Sequence, residues 1–174
     1  MDNPSRALLV IDIQNDYFPD GSMPLWRAEE TLASTLRVIG RARELGMPVV
    51  LVQHVEPPSE PEGFFTKGSK GVEIHPEILK AAPGAPVVVK HNTDAFRNTN
   101  LNEVLDGLGV KELLVCGMQT QNCVGLTCIS KSAAKYKVSM LGDCCTAPVE
   151  VVHEFALAGF AEIMPVVNSS EVLA

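Results

Sequence analysis

Short, unbroken apolar runs alternate along the chain with stretches whose apolar positions recur at helical spacing. Residues 7–13 (ALLVIDI), 49–53 (VVLVQ), 87–90 (VVVK), 112–116 (ELLVC), 137–141 and 162–166 read as six strands. Residues 27–45 carry Leu32, Leu36, Ile39, Ala42 and Leu45 on one helical face, and Gly46 followed by Pro48 stops that helix. Further helices are predicted over 75–81, 101–108 (ended by Gly109), 121–135 and 148–158 (closed by Gly159). The strand runs are continuous rather than alternating, which suits a parallel sheet covered on both faces. The repeated strand–helix–strand order predicts a single-domain α/β protein: a doubly wound, mostly parallel, six-stranded, Rossmann-like sheet with helices on both faces. The stretch 54–71, rich in Pro, Gly and Glu, reads as a long loop, and loops of that length in a compact domain are usually functional.

Composition narrows the partners. The 174 residues suit one domain that can bury its core without staples. The net charge is −7, from 14 basic and 21 acidic residues, and no basic stripe occurs, so neither nucleic acid nor an anionic membrane is an expected partner. The first apolar run (7–11) is too short for a secretory or membrane segment, and a cytoplasmic location is expected. The five cysteines, Cys116, Cys123, Cys128, Cys144 and Cys145, are odd in number and form no C-x-x-C pair. That pattern points to reduced thiols rather than a disulfide frame or zinc finger, most of them buried small hydrophobes.

Ligands of open α/β sheets bind beyond the carboxyl ends of the strands. The first strand ends at Asp12 and the third at Lys90, while the fourth runs into Gly117-Met118-Gln119-Thr120-Gln121-Asn122-Cys123. An acid, an amine and a thiol thus reach one sheet edge, provided strand order brings them together. A free thiol of pKa ~8.5 is mostly protonated at neutral pH. The Lys90 ammonium and the N-terminus of the 121–135 helix are expected to favour the Cys123 thiolate. Asp12 is placed to take the thiol proton and return it to a leaving amine, and backbone N–H groups of 117–123 to bind an oxyanion.

The segments ALLVIDIQNDYFPDGSMPL (7–25), VVVK (87–90), LLVCGMQTQNCVGLTCIS (113–130) and VSMLGDCCTAP (138–148) resemble those of the isochorismatase-like cysteine hydrolases, a family that includes nicotinamidases and N-carbamoylsarcosine amidases. The likeness covers nearly the whole chain, so residues 1–174 are read as one domain of this kind. It implies a catalytic triad of Asp12, Lys90 and Cys123, a cis peptide between Met118 and Gln119, and an oxyanion hole formed by the N–H groups of Gln119 and Cys123. It also implies hydrolysis of an amide or carbamoyl C–N bond of a small molecule through a Cys123 thioester, by a homo-oligomer.

Nicotinamidases hold a metal through an Asp-x-His pair and a further His after the second strand. Here that place reads Gln53, His54, Val55, then Pro57 and Pro58, with no further His until His75. The expectation is therefore no metal and no other cofactor, with His54 a structural hydrogen-bonding residue. Gln14, Phe18, Trp26 and Phe96 are the candidate pocket walls, and Phe64 and Phe65 form an exposed aromatic pair on a lid or inter-subunit arm. Two other readings stand beside amide hydrolysis. One is cleavage of a vinyl ether, as in isochorismate, which some family members perform without the cysteine. The other is a non-hydrolytic α/β binding or thiol-sensing protein, although no G-x-G-x-x-G or G-x-x-x-x-G-K-[ST] phosphate cradle is present.

Overall fold

The computed structural model describes residues 5–58 and 63–173. The N-terminal tetrapeptide and positions 59–62 of the expected loop lie outside the described residues.

Six strands form one all-parallel sheet in the order β3-β2-β1-β4-β5-β6. They are β1 (Arg6–Ile11), β2 (Val49–His54), β3 (Val87–Lys90), β4 (Glu112–Met118), β5 (Lys137–Thr146) and β6 (Val166–Val167). Successive residues of a strand face opposite sides of the sheet. Ala7 to Ile11 of β1 and Leu113 to Met118 of β4 are nonetheless buried without interruption, so the sheet's centre is covered on both faces. The edge strand β3 departs from the expected continuous burial. Its pattern alternates, with Val87 and Val89 exposed and Val88 and Lys90 buried.

Helix α1 (Ala28–Glu44) lays Ala28, Thr31, Thr35, Val38, Ile39 and Ala42 on the sheet. Its acidic first turn and basic last turn oppose the helix dipole. Helices α2 (Pro76–Ala81), α3 (Leu101–Gly107) and α5 (Glu150–Ala161) lie in the connections between strands, and α6 (Ser169–Val172) follows β6. Three sequence expectations need correction. The 121–135 helix is instead a π-turn (Thr120–Val124), four α-helical residues α4 (Gly125–Cys128) and a 3₁₀ turn (Lys131–Lys135), because the backbone at Asn122 leaves helical geometry. Gly159 lies inside α5 rather than ending it, since an interior glycine weakens a helix without forbidding it. The last strand is two residues long and begins at Val166, after Pro165.

The strand order reverses at the parallel β1/β4 pair, with β2 and β3 laid down on one side of it and β5 and β6 on the other. A crevice forms at such a switch point. Gly117 keeps the two strands close there: its φ is 126°, and any Cβ would drive into the Ile11 carbonyl.

Candidate active site

Asp12 follows β1 in a left-handed conformation (φ 51°) that Asp tolerates better than most residues. Lys90 ends β3, two strands away, with β2 between them. Its long side chain crosses that gap. Lys90 Nζ lies 2.8 Å from Asp12 Oδ2 and 3.3 Å from Cys123 Sγ. Neither Asp12 nor Lys90 is exposed, and Cys123 is 3% exposed. The acid, amine and thiol thus converge at one sheet edge, beside the β1/β4 switch point.

Charges this deeply buried persist only when paired. Lys90 is fully engaged: besides Asp12 and Cys123, it contacts His54 Nδ1 at 2.7 Å and the Asn92 carbonyl at 3.0 Å. Burial, reinforced by the Asp12 carboxylate, pushes the Cys123 thiol up to about 12, and the Lys90 ammonium only partly offsets this. Burial thus acts against the thiolate that the helix dipole and the ammonium are expected to favour. The four-residue α4 is too short to supply the dipole, and desolvation outweighs the single cation.

The Met118–Gln119 peptide is cis. The Gln119 carbonyl accepts from the N–H groups of Asn122 and Val124 and so ties the turn that carries Cys123. The Gln119 side chain reaches Tyr17 Oη at 3.4 Å and Met23 Sδ at 3.5 Å, and its Oε1 accepts from Gln121 Nε2 at 2.6 Å. Burial and the neighbouring Asp12 carboxylate raise the Tyr17 hydroxyl well above its usual value, so it stays neutral while it accepts from Gln119 Nε2.

The four expected pocket walls fall in different places. Gln14 is buried, and its amide is used by backbone: Nε2 donates to the His54 and Val72 carbonyls and Oε1 accepts from His54 N–H. It braces the ends of β1 and β2 and presents no free polar group. Phe18 packs on His75 (ring centroids 4.6 Å apart) and lines a cleft of about 620 Å³ with Asn15, Leu32, Leu36 and Lys70. None of Asp12, Lys90 and Cys123 lines that cleft. Phe96 is buried against Tyr136. Trp26 packs on His153, whose Nδ1 pairs with Thr120 Oγ1 at 2.8 Å, so it braces the cysteine turn from behind.

Phe64 and Phe65 are not the exposed pair expected. Phe65 has no exposure and Phe64 is half-buried, and they stack at 3.8 Å. Both rings face Tyr17, at 5.4 and 4.9 Å. The buried Asp16 carboxylate holds this loop through the N–H groups of Phe65 (2.7 Å) and Ser22 (3.1 Å). Sequence reading passed over Tyr17, Asp16 and Glu56. Only the polar N-D-Y run inside an otherwise apolar neighbourhood signalled the first two. Glu56 follows β2 and places Oε1 at 2.6 Å from His54 Nε2.

Asp12, His54 and Cys123 place donor atoms within 4.8 Å of one another, a set whose chemistry could hold a metal. The Lys90 ammonium touches all three and fills the position a cation would take. The residues present therefore do not fit a resident metal.

Comparison with known proteins agrees with this architecture. An isochorismatase domain model matches residues 6–171. YddQ of Bacillus subtilis, an uncharacterized isochorismatase family protein, is 37% identical over 96% of this chain and 97% of its own length. An isochorismatase hydrolase structure from Oleispira antarctica superposes with a TM-score of 0.87 at 30% identity, covering 99% of this chain and 97% of that one. N-carbamoylsarcosine amidase from Thermoplasma acidophilum gives 0.80 at 26% identity, covering 94% and 96%. With the six-stranded parallel sheet and the acid, amine and thiol gathered at its edge, these likenesses show that the chain belongs to the isochorismatase family of hydrolases.

Proposed function

We propose that the protein hydrolyses a C–N bond of a small amide or carbamoyl compound, with Cys123 as nucleophile. The observation that carries this reading is the buried contact chain Asp12–Lys90–Cys123, at 2.8 and 3.3 Å.

In the proposed sequence, Asp12 takes the proton from Sγ as the sulfur attacks the substrate carbonyl. The N–H groups of Gln119 and Cys123 receive the developing oxyanion. Asp12 then gives its proton to the departing nitrogen, leaving a thioester on Cys123. Water, deprotonated by the same carboxylate, attacks the thioester, and the proton returns to sulfur as the acid leaves. Lys90 stays protonated throughout and offsets the charge that moves between oxygen and sulfur. A thiol that is neutral at rest suits this cycle, because the nucleophile is generated only when Asp12 accepts its proton.

The likeness to an N-carbamoylsarcosine amidase supports C–N rather than ether cleavage, as does the cysteine itself. The five free cysteines support a reducing, cytoplasmic setting. No helix among the described residues is long and apolar enough to cross a membrane. The apolar outer face of α5, where Phe155 is 76% exposed and Val151 57%, supports a homo-oligomer. The experiment is ammonia release from a panel of small amides and carbamoyl compounds, with mass spectrometry of the trapped enzyme. A Cys123 acyl adduct and loss of turnover in Cys123→Ala are expected. Full turnover by a folded Cys123→Ala protein overturns the reading.

A further inference from the structure

We propose that His54, held by Glu56, is a positioning residue that fixes the Lys90 ammonium so that a single N–H is shared between Asp12 and Cys123. This rests on the reading of Cys123 as the nucleophile.

His54 is the last residue of β2 and pairs directly with Lys90 on β3. Its imidazole therefore stands where the lysine side chain must pass on its way to Asp12. An ammonium has three N–H donors and no acceptor. Four acceptors surround this one: His54 Nδ1 at 2.7 Å, Asp12 Oδ2 at 2.8 Å, the Asn92 carbonyl at 3.0 Å and Cys123 Sγ at 3.3 Å. The imidazole and the backbone carbonyl keep their positions and charge through the reaction, so they hold two donors. The third is contested by the carboxylate and the sulfur. At rest the carboxylate carries the charge and the shorter contact. Once the S–H bond breaks and that proton forms an O–H bond on Asp12, sulfur carries the charge, and the same donor turns to it without the ammonium moving away. His54 neither gains nor loses a proton.

The tautomer follows from the same counting. Lys90 only donates, so Nδ1 must be the bare nitrogen and Nε2 carries the hydrogen. Glu56 Oε1 accepts that hydrogen at 2.6 Å. Glu56 is in turn held by backbone bonds, its N–H donating to the Phe65 carbonyl and its carbonyl accepting from Lys67 N–H. Gln14 clamps both backbone groups of His54, and the Phe65 ring lies 5.9 Å from the imidazole. An imidazole that merely filled space would not need both nitrogens spent on ions in a line from a half-exposed carboxylate to the nucleophile.

The test measures the rate at which iodoacetamide, a small amide, alkylates Cys123 in the full chain, read by peptide mass spectrometry, together with kcat and KM on an amide that the panel identifies. His54→Ala is expected to slow alkylation and lower kcat by about 10- to 100-fold, the range for losing a hydrogen bond to a charged group, with KM unchanged. His54→Gln, which keeps a carbonyl acceptor, is expected to recover much of the rate, and Glu56→Ala to fall between. Wild-type alkylation in His54→Ala while Lys90→Ala is slow overturns this inference alone, as does a His54→Gln protein no better than His54→Ala. If His54→Ala does not fold, Glu56→Ala decides, and an unchanged rate overturns the proposal. Unchanged alkylation in Lys90→Ala, or no labelling of Cys123 in the wild type, overturns the nucleophile reading and this inference with it.

Discussion

The Lys90 ammonium and the Asp12 carboxylate lie 2.8 Å apart with neither side chain exposed. Two charges in that position hold each other in place, and losing one strands the other in a medium that cannot solvate it. Replacement of one partner should therefore affect folding as well as chemistry. Asp12→Asn and Lys90→Met are each expected to lower stability by about 3–5 kcal/mol and to abolish hydrolysis. Urea unfolding monitored by circular dichroism checks the first effect and the amide panel the second. A variant as stable as the wild type would show that the pair is not compensating buried charge.

Alkaline pH should destabilise the fold. Burial pushes Cys123, Cys128 and Cys144 up to about 12 from 9.0, and raises Cys116 and Cys145 as well. Below pH 9 these thiols are protonated in both states, and their contribution is fully present. As pH rises from 9 towards 12, the unfolded chain releases protons that the folded chain keeps, so the unfolded state binds fewer and stability falls. Each thiol contributes a slope of about 1.4 kcal/mol per pH unit inside that window. Denaturation midpoints on either side of pH 9 measure the fall, and Cys128→Ala should make it shallower. A midpoint independent of pH would contradict the burial of these thiols.

The ammonium among Asp12, His54 and Cys123 predicts insensitivity to chelators. Exhaustive dialysis against EDTA should leave turnover unchanged, and metal analysis of the active protein should find no stoichiometric ion. Loss of activity that added zinc restores would mean that Lys90 does not occupy the cation position.

Gly117→Ala should be poorly tolerated. The position combines φ 126° with a contact between the Gly117 and Ile11 backbones that leaves no room for a methyl group. A loss of about 2–4 kcal/mol, or failure to fold, is expected, measured by thermal unfolding beside a Gly84→Ala control, where no atom lies within 4 Å of the added Cβ but φ is also positive.

Phe155→Glu addresses the outer face of α5. With 76% of the residue exposed in one chain, the change should leave the isolated fold intact. It is expected to shift sedimentation from an oligomer to a monomer. An unchanged sedimentation coefficient would place the subunit contact elsewhere.

Much of this protein is legible in one dimension because its signals are local. Continuous apolar runs mark the strands, and Gly46 and Gly109 mark helix ends. Asp12, Lys90 and Cys123 stand out because each follows an apolar strand or its turn. The failures share the opposite character. Whether Phe64 and Phe65 face solvent depends on the hydrogen bond that Phe65 N–H donates to the Asp16 carboxylate, 49 positions away. Gln14 looks like a pocket wall until the His54 backbone claims its amide. The 121–135 helix has helical spacing throughout, yet the backbone at Asn122 breaks it where the chain turns to present Cys123.

The amino-acid order alone determined the strands, the α/β class and which acid, amine and thiol end up at strand termini, since burial periodicity and turn chemistry act over a few residues. Tertiary structure alone decided that β2 lies between β1 and β3, and so that His54 stands beside the Lys90 ammonium that reaches Asp12. It also set the direction in which the Cys123 thiol is pushed. Desolvation depends on everything packed around the sulfur, and no stretch of sequence carries that sum.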